Sequence, residues 1–224
     1  NVKKVLPGEF IEVDFHGSYT KEIYWDPINY ISEEDISLSE AQEEFDNLLK
    51  SSIEYRKISD VEVGLYLSGG LDSTLIGSLL SSDTKLKSFN VDYDEVFEGY
   101  KGELDEAKFS SEIINVDLIH KSITFDEFKN IIKEYPLLQD DLIGDEVGIP
   151  LYFLGKLANK NGLKVVQVGE GADELFFGYD HWLRFVNLYK KIPKISNISF
   201  GNIIESHRAN SVSYTHLRAH ETVR

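Results

Sequence analysis

Val61-Glu62-Val63-Gly64-Leu65-Tyr66-Leu67-Ser68-Gly69-Gly70-Leu71-Asp72-Ser73-Thr74-Leu75-Ile76-Gly77-Ser78-Leu79-Leu80 is the stretch that decides the fold. Val61 to Leu67 is mainly apolar and reads as a buried strand, and Asp72 to Leu80 reads as a helix. The turn between them holds Gly69 and Gly70, which let the backbone bend tightly and face its N–H groups inward. The helix adds its unpaired N–H groups and the positive end of its dipole. Ser68, Ser73 and Thr74 add hydroxyls, and such a concavity suits a phosphate chain. No lysine follows the glycines, so this is not the common Gly-Lys-Ser/Thr phosphate loop. Asp72 is the telling residue, because a carboxylate beside phosphates repels them unless it holds a metal. The competing reading is an aspartate that caps the helix.

Downstream the same alternation continues. Leu86 to Val91 reads as a strand, Leu104 to Ile114 as a helix, Leu118 to Ile123 as a strand, and Phe125 to Tyr135 and Leu151 to Asn159 as helices. Lys164 to Val168 is a further strand, and a long helix is expected from Ala172 onward. Asp92 to Glu103, acidic and glycine-containing, reads as a long mobile loop. This order predicts an α/β fold, a mostly parallel twisted sheet with helices on both faces. In such a sheet the carboxyl ends of the strands line the ligand crevice. Ser68 and Gly169 are therefore expected at neighbouring strand ends.

The strand at Lys164 delivers a second motif, Gly169-Glu170-Gly171-Ala172-Asp173-Glu174-Leu175-Phe176-Phe177-Gly178-Tyr179. Glu170, Asp173 and Glu174 would repel one another without a purpose. An acid-rich first helical turn, favoured by the dipole, is the plain alternative. With both loops at strand ends, Asp72 and Asp173 can face each other across the crevice and share magnesium.

Upstream, Phe10 to Phe15 and Lys21 to Trp25 read as two short strands around a His16-Gly17-Ser18 turn, a hairpin whose parent sheet is missing. Pro27 to Ser37 reads as an acidic linker. Leu38 to Ile58 has helical spacing, with Ser39 and Gln42 as a candidate capping pair. Hydrophobic residues make up 42% and charged residues 28% of the 224, as expected of a globular chain. The net charge of −16 argues against a nucleic-acid surface. An anionic ligand on this background needs a local cation. There is no cysteine, so no thiolate nucleophile or cysteine-held metal. No apolar run approaches the roughly 18–20 residues that span a bilayer, and no signal segment opens the chain. The expected location is the cytoplasm, with no membrane partner. Methionine is absent and the chain begins at Asn1, which reads as a piece of a longer reading frame. The stretch from about Ser211 lacks an apolar face and reads as non-native and dispensable. His216 and His220 have the spacing of a helical metal pair but no third ligand nearby.

Ser68 to Thr74 resembles the pyrophosphate loop of the ATP pyrophosphatases, which attack the α-phosphate of ATP and release pyrophosphate. Gly169 to Tyr179 resembles the Gly-Glu-Gly-Ala-Asp-Glu-Leu-Phe-Gly-Gly-Tyr signature of asparagine synthetases. Phe177 stands where that family has a glycine, and Val168 where it has a serine. Ser88-Phe89-Asn90-Val91, Asp105-Glu106-Ala107 and Ile149-Pro150-Leu151-Tyr152-Phe153-Leu154 follow in the family's order, and residues 5–25 resemble the end of its glutaminase domain.

The resemblance implies an adenine nucleotide alpha-hydrolase-like fold. It divides the chain into a glutaminase-domain remnant at 1–30, a linker and helix at 31–60, an incomplete synthetase domain at 61–190 and an irregular tail at 191–224. It implies ATP and Mg2+ as cofactors. Ser68, Gly69, Gly70, Asp72 and Ser73 would hold pyrophosphate, and Asp72 and Asp173 the metal. Tyr66, Val91 and the Gly169 backbone would hold the AMP part. Glu170, beside the acyl-adenylate, would assist ammonia attack, so Asp72, Glu170 and Asp173 are the catalytic candidates. The implied reaction adenylates the β-carboxylate of aspartate, and ammonia then displaces AMP to give asparagine. Ammonia would come from glutamine through an N-terminal domain with a cysteine nucleophile, in a full-length homodimer. Related enzymes adenylate other carboxylates, closing β-lactams or lasso peptides or amidating glycans. An inactive ATP-binding fragment is the other alternative.

Overall fold

The computed structural model describes residues 3–31, 35–81, 85–94, 102–139, 147–176, 178–179, 182–184 and 186–187. The chain divides into two compact units, Asn1–Leu49 and Lys50–Arg224. The acidic loop expected over 92–103 lies largely outside the described residues, and so do Phe177 and the tail from 211.

In the first unit, strands β1 (Glu9–Val13) and β2 (Tyr19–Ile23) pair antiparallel, with Glu9 opposite Ile23 and Val13 opposite Tyr19. Asp14 closes the turn: its Oδ1 accepts from the N–H groups of His16 (2.8 Å) and Ser18 (2.9 Å). Lys21 Nζ lies 3.0 Å from Glu9 Oε1 across the pair. A short 3-10 turn at Pro27–Tyr30 starts from Asp26, which accepts from the Ile28 N–H, so the expected linker carries some structure.

Helix α1 (Leu38–Lys57) begins one residue before its expected cap, Ser39. The capping pair is Ser37 with Glu40, not Ser39 with Gln42. Ser37 Oγ accepts from the Glu40 N–H at 3.2 Å, and Glu40 Oε2 accepts from the Ser37 N–H at 2.9 Å. Ser39 already lies inside the helix, as its second residue, so it does not stand at the cap position.

The second unit carries strands β3 (Val63–Tyr66), β4 (Lys87–Tyr93), β5 (Asp117–Ile123) and β6 (Val165–Gln167). Their order is β5-β4-β3-β6, and every pairing is parallel. Between them run α2 (Leu71–Leu80), α3 (Leu104–Ile113), α4 (Phe125–Leu138), α5 (Gly148–Lys160) and, after β6, α6 (Ala172–Phe176).

The period of two along β3 assigns the faces. On one side Leu65 lies against Gly77 of α2, where an added Cβ would stand 2.7 Å from Leu65 Cδ2 and 2.6 Å from Ile114 Cδ1. On the other side Tyr66 packs with Phe89, Ala158 and Leu163, so α5 covers that face. A second cluster, Ile123, Ile131, Ile149 and Phe153, joins β5, α4 and α5. Phe89 and Leu65 are fully buried, and truncating Phe89 to alanine would cost about 3–5 kcal/mol.

Two prolines sit inside helices. Pro150 is in the first turn of α5, where its missing N–H has no intrahelical partner to lose. Pro136 is in the last turn of α4, past the expected end at Tyr135. Helix α6 spans only five residues, so the expected long helix after Ala172 is corrected. Gly178 is the physical reason. Its N–H donates to the Asp173 carbonyl at 3.0 Å, and any Cβ there would collide with the Asp173 carboxylate.

Candidate functional site

The first loop leaves the sheet at Leu67, whose N–H still donates to the Phe89 carbonyl at 2.9 Å. It then closes on itself. Ser68 Oγ accepts from the Gly70 N–H at 3.2 Å, and Ser73 Oγ donates to the Gly70 carbonyl at 3.2 Å. Ser68 Oγ and Ser73 Oγ are 3.0 Å apart. With the Ser73 proton on Gly70, Ser68 is the donor of that pair. The two hydroxyls expected to face a ligand are thus used to set the loop's shape. Among the described residues, Thr74 Oγ1 is buried without a hydrogen-bond partner.

Gly69 has φ +87°, and an added Cβ would stand 2.5 Å from the Ala107 N atom of α3. No other residue type fits there without moving α3. Ser110 Oγ of the same helix reaches the Gly69 carbonyl at 3.4 Å. The N-cap of α2 is Gly70, with no side-chain cap. Asp72 is the second helical residue, so the reading of Asp72 as the cap residue is set aside.

The second loop leaves β6, the parallel neighbour of β3. Ser68 and Gly169 therefore sit at adjacent carboxyl ends, as the alternation predicts. The approach is closer than adjacency requires: a Cβ on Gly169 would stand 2.9 Å from the Ser73 N atom and 3.1 Å from the Asp72 carbonyl carbon. The two glycine-containing loops touch through backbone.

Where they touch, a cavity of about 290 Å³ opens. Of the expected site residues, Tyr66, Ser68, Ser73, Val91, Gly169 and Glu170 line it. Gly69, Gly70, Asp72 and Asp173 are outside its wall, in the loop and in the first turns of α2 and α6. Leu67, Phe89, Asn90, Glu103, Leu154 and Val168 complete much of the wall. Its lining mixes apolar and polar side chains, as in small-molecule sites generally. Burial pushes the Tyr66 phenol above its ordinary value. A shallower groove runs along α1 between Glu40, Glu43, Glu44, Asn47 and Leu48. It offers one acidic face of a single helix, which no anion would choose.

The second motif is strongly negative. Tyr179 Oη donates to Glu174 Oε1 at 2.7 Å. That bond, with smaller contributions from burial and from the charges of Glu174, Asp173 and Glu170, pushes the phenol up to about 12. Among the described residues no group of three or more His, Cys, Asp or Glu is gathered as a complete metal cage. Asp72 and Asp173, both half-buried, are donors of the right kind for Mg2+, which keeps several waters and takes one or two carboxylates plus substrate phosphates.

One wall residue, Asn90, anchors a network that sequence reading missed. Asn90, buried in β4, donates through Nδ2 to the Leu67 carbonyl at 2.9 Å. Its Oδ1 lies 2.9 Å from His120 Nδ1 on β5, and His120 Nε2 lies 3.3 Å from Ser122 Oγ. Burial lowers the His120 pKa, with Asp92 opposing and Lys108 reinforcing. No local spacing signals this network, because its partners lie on three different strands.

These features define a parallel α/β protein with a cavity at the carboxyl ends of adjacent strands. The sequence profile of the asparagine synthase family matches residues 44–223, and the chain belongs to that family. It is 34% identical over 200 residues to the glutamine-hydrolyzing asparagine synthetase 1 of Bacillus subtilis, covering 86% of this chain and 30% of that protein. It is 27% identical over 197 residues to the amidase chyE of Penicillium rubens, covering 80% of this chain and 29% of that protein. The chain thus spans less than a third of these relatives. Among solved structures, the NMN synthetase of Francisella tularensis overlaps with a TM-score of 0.42 at 19% identity, over 65% of this chain and 59% of that one. Among the described residues no helix is long and apolar enough to cross a membrane.

Proposed function

We propose that this chain carries the ATP-using, amide-forming site of an asparagine synthetase-like protein. The observation that carries the reading is the backbone contact of Gly169 with the Asp72–Ser73 peptide, which makes one cavity from both motifs. In this reading the cavity takes the nucleoside part beside Tyr66, Val91 and the Gly169 backbone. The Ser68–Ser73 loop and the start of α2 take the phosphates through N–H groups and the helix dipole.

A carboxylate oxygen of aspartate attacks the α-phosphorus, and the bond to pyrophosphate breaks. Ammonia then attacks the acyl carbon, AMP leaves, and the surplus proton passes to a base, for which Glu170 on the cavity wall is the candidate. Asp72 and Asp173 would hold Mg2+, which neutralises phosphate charge when bound. Glu170, Asp173 and Glu174 put three carboxylates within five residues of the second motif, and ATP enters beside them only with a cation. Positioning and charge neutralisation then supply most of the acceleration. Glutamine as the ammonia source, a homodimer, and a cytoplasmic location belong to the same proposal for the whole protein.

The test is exchange of labelled pyrophosphate into ATP by the full-length gene product. Exchange that depends on aspartate supports the reading. Exchange that depends on a different carboxylic acid moves the protein to the related amide-forming enzymes. No exchange with any carboxylate tried removes the adenylation reading.

A further inference from the structure

We propose that His120 is a positioning residue for the Ser68–Ser73 loop, acting through Asn90. Regular pairing between β3 and β4 covers Leu65 with Ser88 and Tyr66 with Phe89. One residue later the strands diverge, because the chain must leave the sheet to form the loop. At that opening the Asn90 side chain, only 3% exposed, takes over from the ladder and donates to the Leu67 carbonyl at 2.9 Å. Leu67 is itself 1% exposed and directly precedes Ser68. The last fixed point of the chain before the loop is therefore a side-chain amide.

That amide works in one orientation only. Flipped, it would set its oxygen against the Leu67 carbonyl oxygen and lose the bond. His120 holds it there. Asn90 Nδ2 is committed to Leu67, so Oδ1 faces His120 Nδ1 at 2.9 Å, and Nδ1 must carry the proton. Nε2 then accepts from Ser122 Oγ at 3.3 Å. The ring is held as the Nδ1–H tautomer, and it remains an Nδ1 donor if Nε2 is protonated too. The side chains of β5 and β4 are joined to each other, and through Asn90 to the backbone just past β3, where the cavity begins.

The structural part of this inference stands without the nucleotide reading; its effect on ATP rests on that reading. Three variants separate the outcomes. His120→Asn keeps an N–H donor close to the Nδ1 position, His120→Gln places its amide near Nε2, and His120→Leu has no donor. Nitrogen-15 spectra of the wild-type protein should show the Nδ1–H tautomer at His120; the Nε2–H tautomer would overturn the proposal. Amide exchange at Ser68–Ser73 should speed up roughly three- to tenfold in His120→Leu and His120→Gln, the range for one lost hydrogen bond, and return toward wild type in His120→Asn. Unchanged exchange in His120→Leu, or the same acceleration throughout helix α4, would also overturn it. Mg-ATP affinity should follow the same order of variants. Wild-type protein that binds no Mg-ATP would count against the proposed function alone, since the tautomer and exchange results still decide the role of His120.

Discussion

Gly169 and Ser73 meet backbone to backbone: the space a Cβ on Gly169 would need is 2.9 Å from the Ser73 N atom. The obstacle is main chain at the start of a helix, which cannot swing aside as a side chain would. Gly169→Ala should therefore cost about 1–3 kcal/mol of stability through overpacking. It should also weaken Mg-ATP binding roughly tenfold or more, because it parts the two loops that share the cavity. Urea unfolding and calorimetric titration measure the two effects. A stable variant with unchanged affinity would show that the loops do not act as one site.

Asp72 and Asp173 are expected to act with one ion. Asp72→Asn should weaken Mg-ATP binding roughly tenfold or more, since a contact to a charged group contributes about 1.5–3 kcal/mol. In chelator the same change should leave ATP binding equal or improved, because a repulsion is removed. Asp173→Asn should behave alike, and the double variant should fall short of the sum. Gly70, not Asp72, is the N-cap of α2, so stability should fall only by the dipole contribution of about 0.3–1 kcal/mol. Calorimetry with and without magnesium would reject the metal assignment if Asp72→Asn bound Mg-ATP as tightly as wild type.

The start of α4 should respond to acid. Glu127 completes a capping box with Thr124 and lies 2.8 Å from Lys121 Nζ. The Lys121 hydrogen bond, followed by that of the Thr124 backbone, holds the Glu127 carboxyl below its ordinary value. The folded pKa lies below the unfolded one, so the stabilisation is complete above the ordinary value and is lost as pH falls through the folded value. Glu127→Gln should cost roughly 0.5–1 kcal/mol near neutral pH, and the gap should close in acid. Urea midpoints from neutral pH down through the carboxylate range give the comparison; a gap that persists below both values would point to packing, not charge.

The chain should not hydrolyse glutamine. Acyl transfer from glutamine in the reaction the family resemblance implies uses a thiolate, and the chain has no cysteine. Ammonia release from glutamine by the purified chain, abolished by heat denaturation, would contradict this.

Much of this architecture could be read from residues in order. Val61 to Leu80 shows strand, glycine turn and helix because each signal there is local: apolar run, φ-permissive Gly69, helical spacing. The adjacency of Ser68 and Gly169 followed from the rule that parallel strands put their loops at one edge. What escaped was set by tertiary contact. The end of α6 depends on the Gly178 N–H meeting the Asp173 carbonyl, and the run Ala172 to Phe176 gives no hint of it. The Ser37–Glu40 cap was misplaced by two residues because Ser39–Gln42 satisfies the same spacing. Pro136 marked a helix end that the last turn of α4 tolerates. Asn90 and His120 looked like ordinary strand residues, since the Leu67 carbonyl that Asn90 serves belongs to another strand.

Strand β6, three residues long, forms one edge of the described sheet and delivers Gly169. Chains are made from the amino end, so β6 leaves the ribosome after every other strand of that sheet. Until it docks, β3 is itself an edge, with unpaired backbone groups along Val63 to Leu65 that could template association with another chain. The Asp72–Ser73 peptide is likewise uncovered. A nascent chain halted before Val165 would carry the phosphate-type loop, an adhesive strand edge and no cavity. Assembly of the binding site and removal of the aggregation hazard are therefore the same late event in biosynthesis.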